Sequence, residues 1–119
     1  MQSEWKNRGL WAKTLYSLNG LRSALLTEKA VRQEFSVTVL AVGIAIFMKR
    51  PWGDVLEVFL ISLIPPMIEL INTAVERFID YQLGPAYRDE VRIDKDMLSA
   101  SVFLAMTISY GLCFKIIFL

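Results

Sequence analysis

The reading of this chain turns on "LISLIPPMIELINTAVERFID", Leu60 to Asp80. Its first half is apolar enough to enter a bilayer. Its second half carries Glu69, Asn72, Glu76 and Asp80 at intervals of three and four residues. At about 100° per residue these side chains share one face of a helix. Glu69 and Glu76 are then about 10 Å apart along its axis. A charge at bilayer depth costs roughly 2.5–3.5 kcal/mol on insertion scales, so such residues face partners, water or a bound ion. Glu69 is therefore read as functional. The plainer alternative is that Glu76 and Asp80 emerge into water at the helix end, paired with Arg77 or Arg88. Pro65 and Pro66 remove two backbone donors in mid-span, free carbonyls one turn earlier and predict a kink.

Composition agrees with a membrane protein. Hydrophobic residues make up 55% of the 119 positions, and the mean hydropathy is +0.43, too apolar for an ordinary soluble domain of this length. The net charge of +1 argues against non-specific nucleic-acid binding. Without histidine there is neither an imidazole base nor an imidazole metal ligand. Cys113, the one cysteine, excludes an intramolecular disulfide and a multi-cysteine metal site and is expected as a small core residue. No unbroken apolar region ends at a small-residue cleavage site near the start, so no cleavable leader is expected.

Three segments are long enough to span, given the need for about 20 residues. They are "FSVTVLAVGIAIFM" with a start near Thr27 or Glu28, "VLEVFLISLIPPMIELINTAV", and "MLSASVFLAMTISYGLCFKIIFL". Expected spans are 28–48, 55–80 and 95–119 in a single all-α membrane domain, 1–119. Lys115 can snorkel to the interface. Ahead of the spans, Leu10, Trp11, Leu15, Leu18, Leu21 and Leu25 recur at helical spacing, with Lys13, Ser17, Asn19 and Arg22 between them. This predicts an amphipathic surface helix over residues 6–26 with Trp5 and Trp11 as interfacial anchors. The alternative is a helix packed on protein. Lys and Arg crowd the N-terminal region and the second connection, whereas the first connection has Lys49 and Arg50. The positive-inside rule puts the N-terminus and second connection in the cytoplasm. Glu28, Glu69, Glu76, Asp80, Lys95 and Asp96 then converge on that side.

Carboxylate and amide oxygens without His or Cys suit a hard cation. Mg²⁺ typically takes one or two protein carboxylates and completes its shell with water and phosphates. With Arg88, Arg92 and Lys95 nearby, that points to a nucleoside triphosphate. No Gly-x-x-x-x-Gly-Lys and no Gly-x-Gly-x-x-Gly occurs, so neither a P-loop nor a protein-kinase fold is expected.

Four motifs occur in order: "YSLNGLRSA" (Tyr16–Ala24), "EKAVRQE" (Glu28–Glu34), "IELINTAVE" (Ile68–Glu76) with Asp80, and "KDMLSASV" (Lys95–Val102). Together they resemble the small prokaryotic integral-membrane diacylglycerol kinase family, over nearly the whole chain from Tyr16 onward. The resemblance implies a homotrimer with three transmembrane helices and a surface helix per subunit, and active sites between subunits at the cytoplasmic interface of the inner membrane. It implies transfer of the γ-phosphoryl of Mg-ATP to diacylglycerol, giving phosphatidic acid. Glu69 then looks like the general base, supported by Asn72, and Glu28 and Glu76 like the Mg²⁺ ligands. Tyr16, Ser17, Tyr87, Arg88, Lys95 and Asp96, with the two metal ligands, resemble the nucleotide site. Arg22, Ala30, Val31, Arg32, Gln33, Glu34 and Ser99 resemble residues bordering the lipid substrate, which Glu69 also meets. The charges would lie in the membrane because the lipid hydroxyl does.

The sequence departs from the family at several points. Leu98-Ser99-Ala100-Ser101 stands where Gly-Ser-Ala-Ala is common, and Ala86-Tyr87-Arg88 where Glu-Tyr-His is. The second connection is about one residue longer, and the Pro65-Pro66 pair is not a family hallmark. A related branch phosphorylates undecaprenol, but "AVRQE" looks more like the diacylglycerol branch. Two other classes compete. A small proton-coupled transporter would also use an intramembrane Glu, though generally with four spans. A structural subunit would use its polar groups only to join helices.

Overall fold

The computed structural model describes residues 9–84 and 89–119. They form five helices: α1 (Leu10–Thr27), α2 (Lys29–Phe47), α3 (Trp52–Ser62), α4 (Ile64–Leu83) and α5 (Asp89–Phe118). No strand occurs among the described residues. Three stretches are long and apolar enough to cross a membrane: Lys29–Phe47, Trp52–Leu83 and Asp89–Phe118. Trp5, Tyr87 and Arg88 lie outside the described residues.

Each helix end has a local cause. Glu28 leaves the helical region with φ −114° and ψ 113°, which separates α1 from α2. Arg32 folds back across that junction and donates to the carbonyls of Leu25 (3.0 Å) and Leu26 (3.2 Å). These belong to the last turn of α1, whose carbonyls have no helical partner. α2 ends at Lys49, whose φ of 58° is left-handed. That conformation costs a non-glycine residue roughly 1–2 kcal/mol. The Arg50 N–H closes the turn on the Ala45 carbonyl at 3.2 Å, and Pro51 opens α3. α4 stops at Gly84, φ 68°, where the missing Cβ makes the positive angle inexpensive.

The predicted kink is a break. α3 ends at Ser62, Leu63 caps it, and Pro65 and Pro66 occupy the first turn of α4. In an uninterrupted helix residues 65 and 66 would donate to the carbonyls of Ile61 and Ser62. Neighbouring helices supply the substitutes. Ser109 Oγ on α5 donates to the Ile61 carbonyl at 2.7 Å, and Thr38 Oγ1 on α2 donates to the Ser62 carbonyl at 2.9 Å. Both prolines are fully buried. The break therefore joins all three spans at one level, where lipid could not satisfy the freed carbonyls.

The apolar core lies beyond the break, toward the α2–α3 turn. Ala45, Val55, Val58, Cys113 and Ile117 form it, with Ala41, Val42 and Ile61 against them. Cys113 is buried as expected, and its thiol points at the Val58 carbonyl, 3.7 Å away. Past this core Arg50 pairs with Asp54 at 2.9 Å, beside Glu57 and Lys115. Several other hydroxyls bond their own helices, as Ser36 does to Arg32 O (2.7 Å) and Thr107 to Phe103 O (2.9 Å). None of them then faces hydrocarbon with an unmet donor. α1 buries no residue, and Leu10, Trp11 and Leu18 stand exposed.

Candidate functional site

The acidic face of α4 descends from buried to exposed. Glu69 and Asn72 are buried at 7% and 9% exposure, Glu76 is half-buried and Asp80 is exposed. The first turns of α4 are enclosed with α2 and α5, whereas at its last turns Asp80 meets α5 through an exposed ion pair with Lys95. Asn72 Nδ2 donates to Glu69 Oε2 at 3.0 Å, the i, i+3 contact that the spacing allows. From α2, Glu34, itself 6% exposed, brings its carboxyl group against that of Glu69. An ionised carboxylate has no donor, so this contact is a hydrogen bond only with a proton on one of the pair. Tyr110 of α5 lies within electrostatic reach of Glu34. Glu34 Oε1, Asn72 Oδ1 and the Tyr110 hydroxyl are buried without a hydrogen-bond partner. Buried polar atoms are usually satisfied, and such a concentration of exceptions marks a site built for something other than packing.

Two cavities flank this face. One, of about 310 Å³, lies between α4 and α5, lined by Glu69, Asn72, Glu76 and Ser99 on its polar side and Val102, Phe103 and Met106 on its apolar side. The other, of about 580 Å³, lies between α1 and α4; Ser17, Ser23, Glu28, Thr73 and Arg77 give it polar walls. Glu28 and Glu76 both act electrostatically on Glu69. Glu28, at the α1–α2 junction, thus comes within electrostatic reach of Glu69 on α4, although the two are far apart in sequence.

The basic partners are placed specifically. Lys95 Nζ donates to Asp80 Oδ1 at 2.8 Å and lies within reach of the Glu76 charge. Asp96 accepts from Arg92 at 3.2 Å, one turn away on α5. Arg77 pairs with neither Glu76 nor Asp80. It crosses to α1 and α2, donating to Glu28 Oε1 and to Thr27 Oγ1. Neighbours in sequence point about 100° apart on a helix, so Arg77 cannot face Glu76.

The other expected site residues are more dispersed. Tyr16 and Arg22 are exposed on α1, and the Ser17 hydroxyl bonds the Lys13 carbonyl at 3.0 Å. On α2, Gln33 is exposed, Ala30 half-buried and Val31 wholly enclosed, so Val31 acts within the packing. Arg32 turns to the α1 carbonyls described above. The unpartnered Tyr110 hydroxyl had no sequence signal, because one tyrosine in an apolar span has the pattern of an interfacial or core aromatic.

Among the described residues no three His, Cys, Asp or Glu side chains converge as a metal cage. Glu28 lines the cavity between α1 and α4 and Glu76 the one between α4 and α5; each is the kind of oxygen donor that a hard cation takes singly or in pairs, with phosphate and water completing its shell. An all-oxygen donor set selects a hard divalent ion.

Fold and site together define a membrane-embedded helical enzyme with an acidic centre near one end of its bundle. A family model, prokaryotic diacylglycerol kinase, matches residues 15–117. The diacylglycerol kinase of Escherichia coli (strain K12) is 37% identical over 99 residues, covering 79% of this chain and 76% of its own. That of Haemophilus influenzae is 33% identical over 95 residues, covering 80% of each chain. That of Pseudomonas aeruginosa is 30% identical over 95 residues, covering 80% of this chain and 76% of its own. The chain belongs to the prokaryotic diacylglycerol kinase family. It is an enzyme, a kinase of the diacylglycerol kinase class.

Proposed function

We propose that this chain transfers the γ-phosphoryl of Mg-ATP to the free hydroxyl of diacylglycerol, giving phosphatidic acid at the cytoplasmic face of the inner membrane. The observation that carries the reading is the buried Glu69–Asn72 pair at the wall of a cavity that is polar on one side and apolar on the other. That division suits a lipid alcohol, whose glycerol end needs polar contacts and whose chains need apolar ones. Depth agrees. From exposed Trp52, a residue type that collects at membrane interfaces, about 20 residues cross the hydrocarbon. That count ends at Asn72, so Glu69 sits just inside the opposite boundary, where a lipid headgroup lies.

Phosphoryl transfer needs positioning and charge neutralisation more than covalent chemistry. Glu69 is the base that takes the hydroxyl proton, and Asn72 fixes its carboxylate by donating to one oxygen. The lone pairs that Asn72 and Glu34 do not occupy are those open to the substrate hydroxyl. Ser99 and Asn72 border the glycerol; Val102, Phe103 and Met106 receive the chains. Glu28 and Glu76 would hold Mg²⁺, which would supply positive charge to the phosphates. Lys95, kept near Glu76 by Asp80, meets the same phosphates. Tyr16 and Ser17 on α1, Tyr87 and Arg88 in the second connection and Asp96 complete the nucleotide site. Arg22, Ala30, Arg32, Gln33 and Glu34 border the lipid, with Val31 packed behind them. α1 lies on the membrane surface, and three subunits share their sites.

The test is transfer of labelled γ-phosphate to lipid in mixed micelles, with diacylglycerol and undecaprenol in parallel. Label in phosphatidic acid is expected. Glu69→Gln should lower kcat by about 10²–10⁴-fold, the worth of a positioned base, with oligomer size unchanged. Label only in the polyprenol would change the acceptor, and near-normal kcat in the variant would remove Glu69 as base. No transfer to either lipid would overturn the reading.

A further inference from the structure

Arg77 has no part in the chemistry above, yet it is bound to one of its principal residues. Its Nη2 donates to Glu28 Oε1 and, at 3.1 Å, to Thr27 Oγ1. Glu28 is held in position by its backbone. Its extended φ and ψ break the helix, and its N–H is fixed to the Ala24 carbonyl at 2.8 Å. The side chain is thereby presented across the gap to α4. Glu28 and Arg77 line the same 580 Å³ cavity, and their side chains remain 30% and 56% exposed. Solvent and ligands can reach the pair.

Arg77 occupies one oxygen of Glu28, and an ionised carboxylate keeps further lone pairs on the other. A divalent cation there would sit beside the guanidinium, and the two positive charges repel, so they compete for one carboxylate. We propose that Arg77 is an exchangeable counter-ion for Glu28: its charge opposes a divalent cation at the same carboxylate and gives way as the cation binds, so Arg77 sets the affinity of the site for the free cation. This rests on Glu28 being a metal ligand. The device has two effects. With no cation present, Glu28 keeps a partner close to the membrane boundary. Once displaced, the guanidinium stays on the cavity wall with its donors unmet, where a phosphate can take them up. Free cation alone then binds weakly, and cation arriving with phosphate does not bear the full cost of breaking the pair. Arg77 is a positioning residue in this scheme.

The test is Mn²⁺ binding without nucleotide, followed by electron paramagnetic resonance of the free ion, on purified protein in detergent micelles. Arg77→Met should tighten Mn²⁺ by about fivefold, the equivalent of a partly exposed ion pair. Unchanged or weaker binding would overturn the exchange and leave Arg77 as a structural pin. Lys29→Met removes a neighbouring exposed charge and should leave binding near wild type, because exposed charges are screened. An equal tightening there would replace the exchange with a general field. Arg77→Lys keeps a cation but loses the fork, and it carries the test if the Met variant does not fold. Binding tighter than wild type supports the exchange, and identical binding overturns it. Glu28→Gln separates the two levels. Mn²⁺ binding indifferent to Glu28→Gln removes the metal-ligand reading, and this inference falls with it. Binding that depends on Glu28 but not on Arg77 removes the inference alone.

Discussion

Glu34 and Glu69 come from different spans, and their carboxyl groups meet inside the bundle. A base held by Asn72 on one oxygen and by Glu34 nearby has little freedom to turn. Glu34→Gln keeps an amide donor toward Glu69, whereas Glu34→Leu leaves Glu69 facing an apolar wall. We expect kcat to fall further in Glu34→Leu than in Glu34→Gln, with KM for nucleotide unchanged in both. Equal losses would mean that Glu34 acts through its own charge rather than by holding Glu69. At this scale the sequence is only partly legible. Residues 69, 72, 76 and 80 announce their shared face through a fixed 100° step. Arg77 does not announce its partner, because Glu28 is 49 positions away and only the packing of α4 beside the α1–α2 junction joins them. The depth of Glu34 was equally hidden, since periodicity places a residue on a face but does not say which helix covers it.

The break between α3 and α4 gives a sharper test at the level of elements. Thr38→Val should destabilise the protein by roughly 0.6 kcal/mol, the average for interhelical hydrogen bonds in a membrane bundle, and by no more than about 1.7 kcal/mol. The change leaves the Ser62 carbonyl without its donor. Pro66→Ala restores a backbone N–H four residues beyond Ser62, so Thr38→Val should cost distinctly less in that background. Ser109→Ala and Pro65→Ala form the parallel pair around the Ile61 carbonyl. Unfolding titrations in mixed dodecyl sulfate micelles would measure both cycles. Purely additive costs would show that the hydroxyls and the prolines are independent. The prolines made an interruption readable in the sequence, and they named the carbonyls it would free. Which hydroxyls would answer was not readable, because Thr38 and Ser109 are two of several hydroxyl residues on their spans. Depth and rotation chose them. The three spans were readable for a simpler reason: long apolar runs leave a chain few other places to go. α1 was readable as a helix, whereas the surface that covers its exposed leucines was not.

The whole molecule measures 49 × 40 × 20 Å. Its long dimension suits a bilayer of about 40–45 Å including headgroups, but its short one is about two helix diameters. So thin a bundle encloses Glu34, Glu69 and Asn72 but leaves Glu76 half-buried and Asp80 exposed. Both cavities open outward, and many large apolar side chains of α2 to α5 stand exposed. We expect static light scattering in detergent to give three times the 13.6 kDa of one chain. A single-chain mass with full kinase activity would remove the shared site. Cys113, by contrast, is sealed within the chain's own core whatever the number of copies. Its sulfur is out of reach of a second chain while the fold is intact. A covalent dimer on a non-reducing gel would therefore count molecules that have opened, and the native thiol becomes a built-in clock for unfolding. Reporter thiols added elsewhere could be labelled against a silent background.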